Sequence, residues 1–188
     1  MTAEPPVSQV GEGDRSLEVR WIFPGRLESA VSGRFGRFPI ETESREDSYL
    51  LDPQLPGLSV KIRGGMALEV KMYHGNQGIL EVVDRAHGRM EFWQKWSFPV
   101  SPPDRYSGCR AGWRPVGKRR RISRFSLAGG QIVARASVLD HEPQCNVELT
   151  EVSIVGQDWW TLGWRRAVLP ICSEAHSRPP PGSCSGGP

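Results

Sequence analysis

The most constraining stretch of this chain is Leu58-Ser59-Val60-Lys61-Ile62-Arg63, then Gly64-Gly65, then Leu68-Glu69-Val70-Lys71-Met72-Tyr73. Both arms alternate apolar and polar residues, and the glycine pair between them is a hairpin-turn signal. Successive side chains of a strand point to opposite faces. Leu58, Val60, Ile62, Leu68, Val70 and Met72 therefore share one face of the hairpin. Ser59, Lys61, Arg63, Glu69, Lys71 and Tyr73 share the other. Any fold for this chain must find a place for a two-stranded ribbon that is apolar on one side and charged on the other.

The same period of two runs through most of the sequence. Strands are expected at Leu17–Phe23, Ser48–Leu51, Met90–Phe98, Val116–Ile122, Gln131–Leu139, Asn146–Ile154 and Thr161–Val168. Leu27, Ala30 and Val31 are spaced like one face of a short helix within Arg26–Phe35. Ile79–Ala86 reads as a short helix or a strand, and the Pro-rich Pro99–Pro115 as a loop. Many strands with few helices predict a mostly β (α+β) domain, a barrel or a curved antiparallel sheet. Hydrophobic residues at 38% are enough for a core. Residues 1–15 and the Pro/Gly/Ser-rich 171–188 are expected to be disordered tails around one domain at 16–170.

No apolar run is long enough to span a membrane, and the N-terminus lacks the charged-then-apolar pattern of a signal peptide. The expected location is the cytoplasm, with no membrane partner. Cys109, Cys145, Cys172 and Cys184 show no Cys-x-x-Cys pairing and read as free thiols. His74, His87, His141 and His176 have no metal spacing. Net charge is only +3, so bulk charge does not demand nucleic acid, which is not expected as a partner. Arg119, Arg120, Arg121 and Arg124 form a basic run read as a solvated strand edge, with phosphate-backbone contact as the competing reading. Trp159, Trp160 and Trp164 read as packing rather than a ligand stack.

The distribution of cations says more than their sum. Of the 24 cationic residues only Lys61, Lys71, Lys95 and Lys118 are lysine, and all four lie in apolar-interleaved segments rather than in loops or tails. Glu18 and Arg20 share a face, as do Glu91, Trp93 and Lys95, then Val116, Lys118 and Arg120, then Glu148 and Thr150. These rows are either ordinary solvated sheet faces held by cross-strand pairs or the lining of a barrel. In a barrel, desolvated charges must be paired or hold a ligand. Several cations sharing one cavity would then take an anion, and phosphate chains suit lysine as point charge and arginine as fork.

At this point the chain resembles the CYTH, or triphosphate tunnel metalloenzyme, superfamily. Asp47-Ser48-Tyr49 is similar to an early Asp-x-Tyr strand. The 58–71 hairpin is similar to the family's Leu-x-x-Arg, turn, Glu-Leu-Lys pair. Val116-Gly117-Lys118-Arg119-Arg120 and Val147-Glu148-Leu149-Thr150 fall at suitable later positions. The resemblance implies an antiparallel tunnel of roughly eight strands with a few short helices. It implies a small phosphorylated anion as partner, bound by Lys61, Arg63, Lys71, Lys95, Lys118 and Arg120. It implies Glu18, Glu69 and Glu148 as catalytic acids, with Mg2+ or Mn2+ on Glu18 and Glu148 if the chain hydrolyses its ligand, and no cofactor otherwise. Two departures weaken the acidic side: Arg20 stands where the first strand should carry a second acid, and Thr150 stands in the same way in the late strand. Three functions follow: a triphosphatase-type phosphohydrolase, a non-catalytic anion- or nucleotide-binding barrel, and a lipocalin-like barrel with an apolar or plugged interior. Oligomeric state is not legible in the sequence.

Overall fold

A computed structural model describes residues 12–82, 85–100, 112–128, 132–135 and 143–168. Its elements in chain order are β1 (Asp14–Pro24), α1 (Ser29–Phe35), β2 (Glu41–Leu50), β3 (Leu58–Arg63), β4 (Ala67–Val82), β5 (Ala86–Pro99), β6 (Trp113–Ser126), β7 (Val133–Arg135), β8 (Gln144–Ile154) and β9 (Gln157–Ala167). The strands pair antiparallel in the order β2-β3-β4-β5-β1-β9-β8-β6-β7, and β2 also pairs with β6. That second pairing closes β2, β3, β4, β5, β1, β9, β8 and β6 into an eight-stranded barrel, with β7 appended to β6. Closure removes the free edges that an open sheet of this size would expose. No helix among the described residues is long and apolar enough to cross a membrane.

The expected hairpin is present, with Leu58 opposite Met72 and Lys61 opposite Glu69. Gly64 and Gly65 turn it with φ of 53° and 70°, a region few residues other than glycine enter readily. Most strands run further than the alternation alone indicates. β2 starts at Glu41 rather than Ser48, and Ile79–Ala86 is neither helix nor separate strand. β4 continues to Val82 and β5 starts at Ala86, with irregular pairing between Tyr73 and Gly75 and between Asn76 and Ile79. β1 begins at Asp14, just inside the expected N-terminal tail. Most of the strand expected over 131–139 lies outside the described residues, as do Cys109, Cys172, Cys184, His141, His176, most of the N-terminal tail and all of the C-terminal one. α1 is the helix expected near Leu27 and Val31, and it is the one helix element among the described residues.

The core lies on the outer wall of the barrel. Phe35 of α1 packs with Leu149 and Trp160, joined by Phe23, Leu27, Val31, Val147 and Leu162. These strand residues alternate with Glu148, Thr150, Thr161 and Arg165, whose side chains turn the other way. Trp160 stacks on Phe23 at 4.0 Å and Trp164 meets Trp21 edge-on at 6.1 Å, so these indoles pack as the sequence suggested. Gly88 allows a close approach, since a Cβ there would sit 2.4 Å from Val19 Cγ1 and 2.9 Å from the Trp21 ring. With its apolar faces turned outward under α1, the barrel keeps the charged faces of its strands for the lumen.

Candidate functional site

Each charged row of the sequence reaches the lumen from its own strand. Glu18 and Arg20 enter from β1, Lys61 and Arg63 from β3, Glu69 and Lys71 from β4, and Trp93 and Lys95 from β5. Lys118 and Arg120 enter from β6, and Glu148 and Thr150 from β8. Together with Arg45, Tyr49, Ser59, Val152 and Arg165 they line one cavity of about 380 Å3. That volume lies in the range of small-molecule sites. All nine residues proposed from the sequence as acids or anion-binding cations border this space, and so do all four lysines of the chain.

Sequence reasoning missed Glu43, Arg45, Asp47 and Arg165 as site residues, and they hold the network together. Asp47 has no exposed surface. Its carboxylate accepts from Arg45 at 2.9 Å and Lys61 at 3.1 Å, lies 3.4 Å from Lys118, and takes the Gly64 N–H at 3.3 Å. Burial opposes its ionisation, but Lys61, Arg45 and Lys118 outweigh burial and hold its pKa at about 2. Glu69 pairs with Lys61 at 3.0 Å and Arg63 at 3.5 Å. Glu43 bridges Arg45, Arg63 and Arg120. Burial works against the ionised forms of Glu43 and Glu69 as well, and in both the neighbouring cations prevail and lower the pKa.

The opposite wall follows the same rule. Glu18 takes Lys71 at 2.6 Å and Ser16 at 2.8 Å, with Arg165 at 3.6 Å. Burial again opposes its charge, Lys71 leads the groups that favour it, and the net shift is downward. Lys71 shifts down as well. Desolvation is its largest cause, Glu18 resists it, and Arg20 and Arg165 add to it. Glu148 takes Arg120 at 2.8 Å, with Arg20 at 3.8 Å. Lys118 and Lys71 each lie 4.5 Å from an aromatic centroid, that of Tyr49 and of Trp93 respectively, and Lys118 also donates to the Tyr49 hydroxyl. The basic run divides between faces. Arg120 is inside, Arg121 is held outside by Ser32 and Glu151, and Arg124 is held by Glu41.

Nine cations and three carboxylates line the cavity. Adding Glu43, Asp47 and Asp14, which pair with lining cations, leaves the cations in excess by three. The arrangement does not suit a divalent metal. Among the described residues no group of three or more His, Cys, Asp or Glu converges in a way that could hold one. Glu18 and Glu148 each already serve two cations, and hard divalent ions need several free carboxylate or phosphate oxygens. Thr150 brings a hydroxyl where an acid would be needed, and its Oγ1 is buried without a hydrogen-bond partner.

The fold and site thus define a closed antiparallel barrel with a cationic lumen. No protein-family model and no curated protein matches the chain. Among solved structures it is similar to the S. pombe Pct1 RNA triphosphatase in complex with the Spt5 CTD. The two share 12% identity over 83% of this chain and 71% of that one, with a TM-score of 0.41, an overlap too low to bear on function.

Proposed function

We propose that this protein binds a triphosphate- or polyphosphate-type anion inside its barrel. The observation that supports the reading is the three-charge cationic excess gathered in one cavity from strands far apart in sequence. Desolvated cations that outnumber their carboxylates need a further counter-ion. A linear phosphate chain supplies several negative charges and many acceptor oxygens along an axis, which suits both the lysine point charges and the arginine forks. Lys61, Arg63 and Lys71 would grip it from the β3–β4 hairpin, Lys118 and Arg120 from β6, and Lys95 from β5. Glu18, Glu69 and Glu148 would hold these cations extended and ready. A lipocalin-like role is disfavoured because the lining is charged rather than apolar.

The test is thermal unfolding and calorimetry with inorganic phosphate, pyrophosphate and tripolyphosphate at low ionic strength. Affinity should rise with chain length. Native-state binding at ligand one hundred times above Kd adds about 2.7 kcal/mol. For a chain of this size that is a rise in Tm of about 5–11 °C. A flat Tm up to millimolar tripolyphosphate, with and without divalent metal, would remove the reading. A phosphate-release assay with Mg2+ or Mn2+ separates a receptor from a phosphohydrolase.

A further inference from the structure

Along the wall formed by β1, β9 and β8, cations outnumber carboxylates among the described residues. Its two carboxylates, Glu18 and Glu148, are faced by four cations, namely Lys71, Arg165, Arg20 and Arg120. Arg20 is central to this set. Its guanidinium approaches Glu148 at 3.8 Å and Thr161 Oγ1 at 3.5 Å. The facing position of β9 is Gly163, and the guanidinium lies against it, where a Cβ would make ordinary contact with Cζ and Nη2 at 3.6 Å. The side chain stays 42% exposed toward the lumen, so its donors are only partly engaged. Beside it, the buried Thr150 Oγ1 lacks a partner among the described residues.

We propose that the barrel takes its phosphate chain free of divalent metal, with Arg20, together with Arg120 and Arg165, supplying at this wall the positive charge that a metal ion would otherwise bring. The proposal rests on the reading of the lumen as a polyphosphate site. A divalent ion arriving here would meet guanidinium groups it cannot displace, because arginine does not deprotonate in proteins. To reach Glu148 it would have to break the Arg20 and Arg120 pairs, costing Arg20 its carboxylate among the described residues and leaving Arg120 with Glu43 alone. Mg2+ already bound to the phosphate chain would occupy the oxygens that the arginine forks need. Divalent metal and protein therefore compete for one set of phosphate oxygens.

The experiment is isothermal titration of inorganic tripolyphosphate into the full chain, once in EDTA and once in millimolar Mg2+. It is repeated with Arg20→Gln, Arg20→Lys and Arg20→Glu, each checked for an unchanged unfolding transition. The expected result is binding in EDTA that weakens in Mg2+. Arg20→Gln should lose about tenfold to a hundredfold in EDTA, the loss expected for one charged hydrogen-bonding group. Arg20→Lys should retain most of the affinity. Arg20→Glu should bind poorly in EDTA and recover with Mg2+. Binding that requires Mg2+ or tightens with it would overturn this inference and leave the polyphosphate reading intact. Equal affinity of Arg20→Gln and the natural protein in EDTA would overturn the role of Arg20. Binding under neither condition would remove both readings together.

Discussion

Replacing Asp47 with asparagine keeps the side chain's size and removes one charge from the middle of the network. Three cations then lose their shared partner, since Arg45, Lys61 and Lys118 all lie within 3.4 Å of this carboxylate. The drop of the Asp47 pKa from an ordinary 3.8 to about 2 corresponds by linkage to about 2 kcal/mol of native-state stabilisation. Breaking a buried ion pair by removing one partner generally costs about 3–5 kcal/mol. Here Lys61 keeps Glu69 and Arg45 keeps Glu43, so the loss should fall nearer about 2–3 kcal/mol, or about 4–12 °C in Tm. The same substitution adds one net positive charge to the lumen. Tripolyphosphate affinity should therefore rise several-fold, and the ligand should recover much of the lost Tm. The assay is thermal unfolding of both forms with and without tripolyphosphate. An unchanged Tm would show that Asp47 does not anchor the network. A lower Tm together with weaker binding would show that Asp47 positions the ligand rather than opposing it electrostatically.

Lys118→Met should weaken tripolyphosphate binding by about tenfold or more, whereas Arg119→Ala, an exposed neighbour on the outer face of β6, should leave the Kd nearly unchanged; equal losses in a parallel titration would place binding outside the barrel. Glu18, Glu43, Asp47 and Glu69 all have lowered pKa values. Their contribution to stability is present above their ordinary values of 3.8 to 4.5 and is lost as pH falls through the folded values, to about 2 for Asp47. The urea midpoint should thus hold from neutral pH to about 5 and fall steeply below about 4.5, and a midpoint unchanged down to pH 2 would contradict the network. Gly88→Ala should cost about 1–3 kcal/mol by forcing Val19 and Trp21 apart, read as a lower midpoint in chemical denaturation.

The β3–β4 hairpin was legible because apolar and charged residues alternate there without a break around Gly64-Gly65. The inward row on β8 is legible for the same reason, since Val147 and Leu149 alternate with Glu148 and Thr150. Periodicity alone did not say which face turns inward. In most sheets the apolar face meets the core, whereas here Leu149, Trp160 and Leu162 face outward and α1 covers them. The first part of β2 escaped because Glu41-Thr42-Glu43-Ser44-Arg45-Glu46-Asp47 has no apolar residue, so no hydrophobic period marks it as a strand. Its inward set, Glu43, Arg45 and Asp47, nevertheless carries much of the ion pairing. Arg165 lies within an expected strand, but Arg166 beside it breaks the alternation that would assign it to a face. The one available signal for these residues was parity with a known inward position, such as Tyr49 for β2.

The central claim is a location: a phosphate chain lies in the lumen among Lys61, Lys71, Lys118 and Arg120. A crystal structure of the chain grown with inorganic tripolyphosphate in metal-free, low-salt solution tests it most directly. The account predicts continuous density inside the barrel, with phosphate oxygens within hydrogen-bonding distance of these four side chains and of Arg20. Density confined to the outer arginines of β6, or a lumen whose ion pairs are unchanged while anion sits elsewhere, would contradict it.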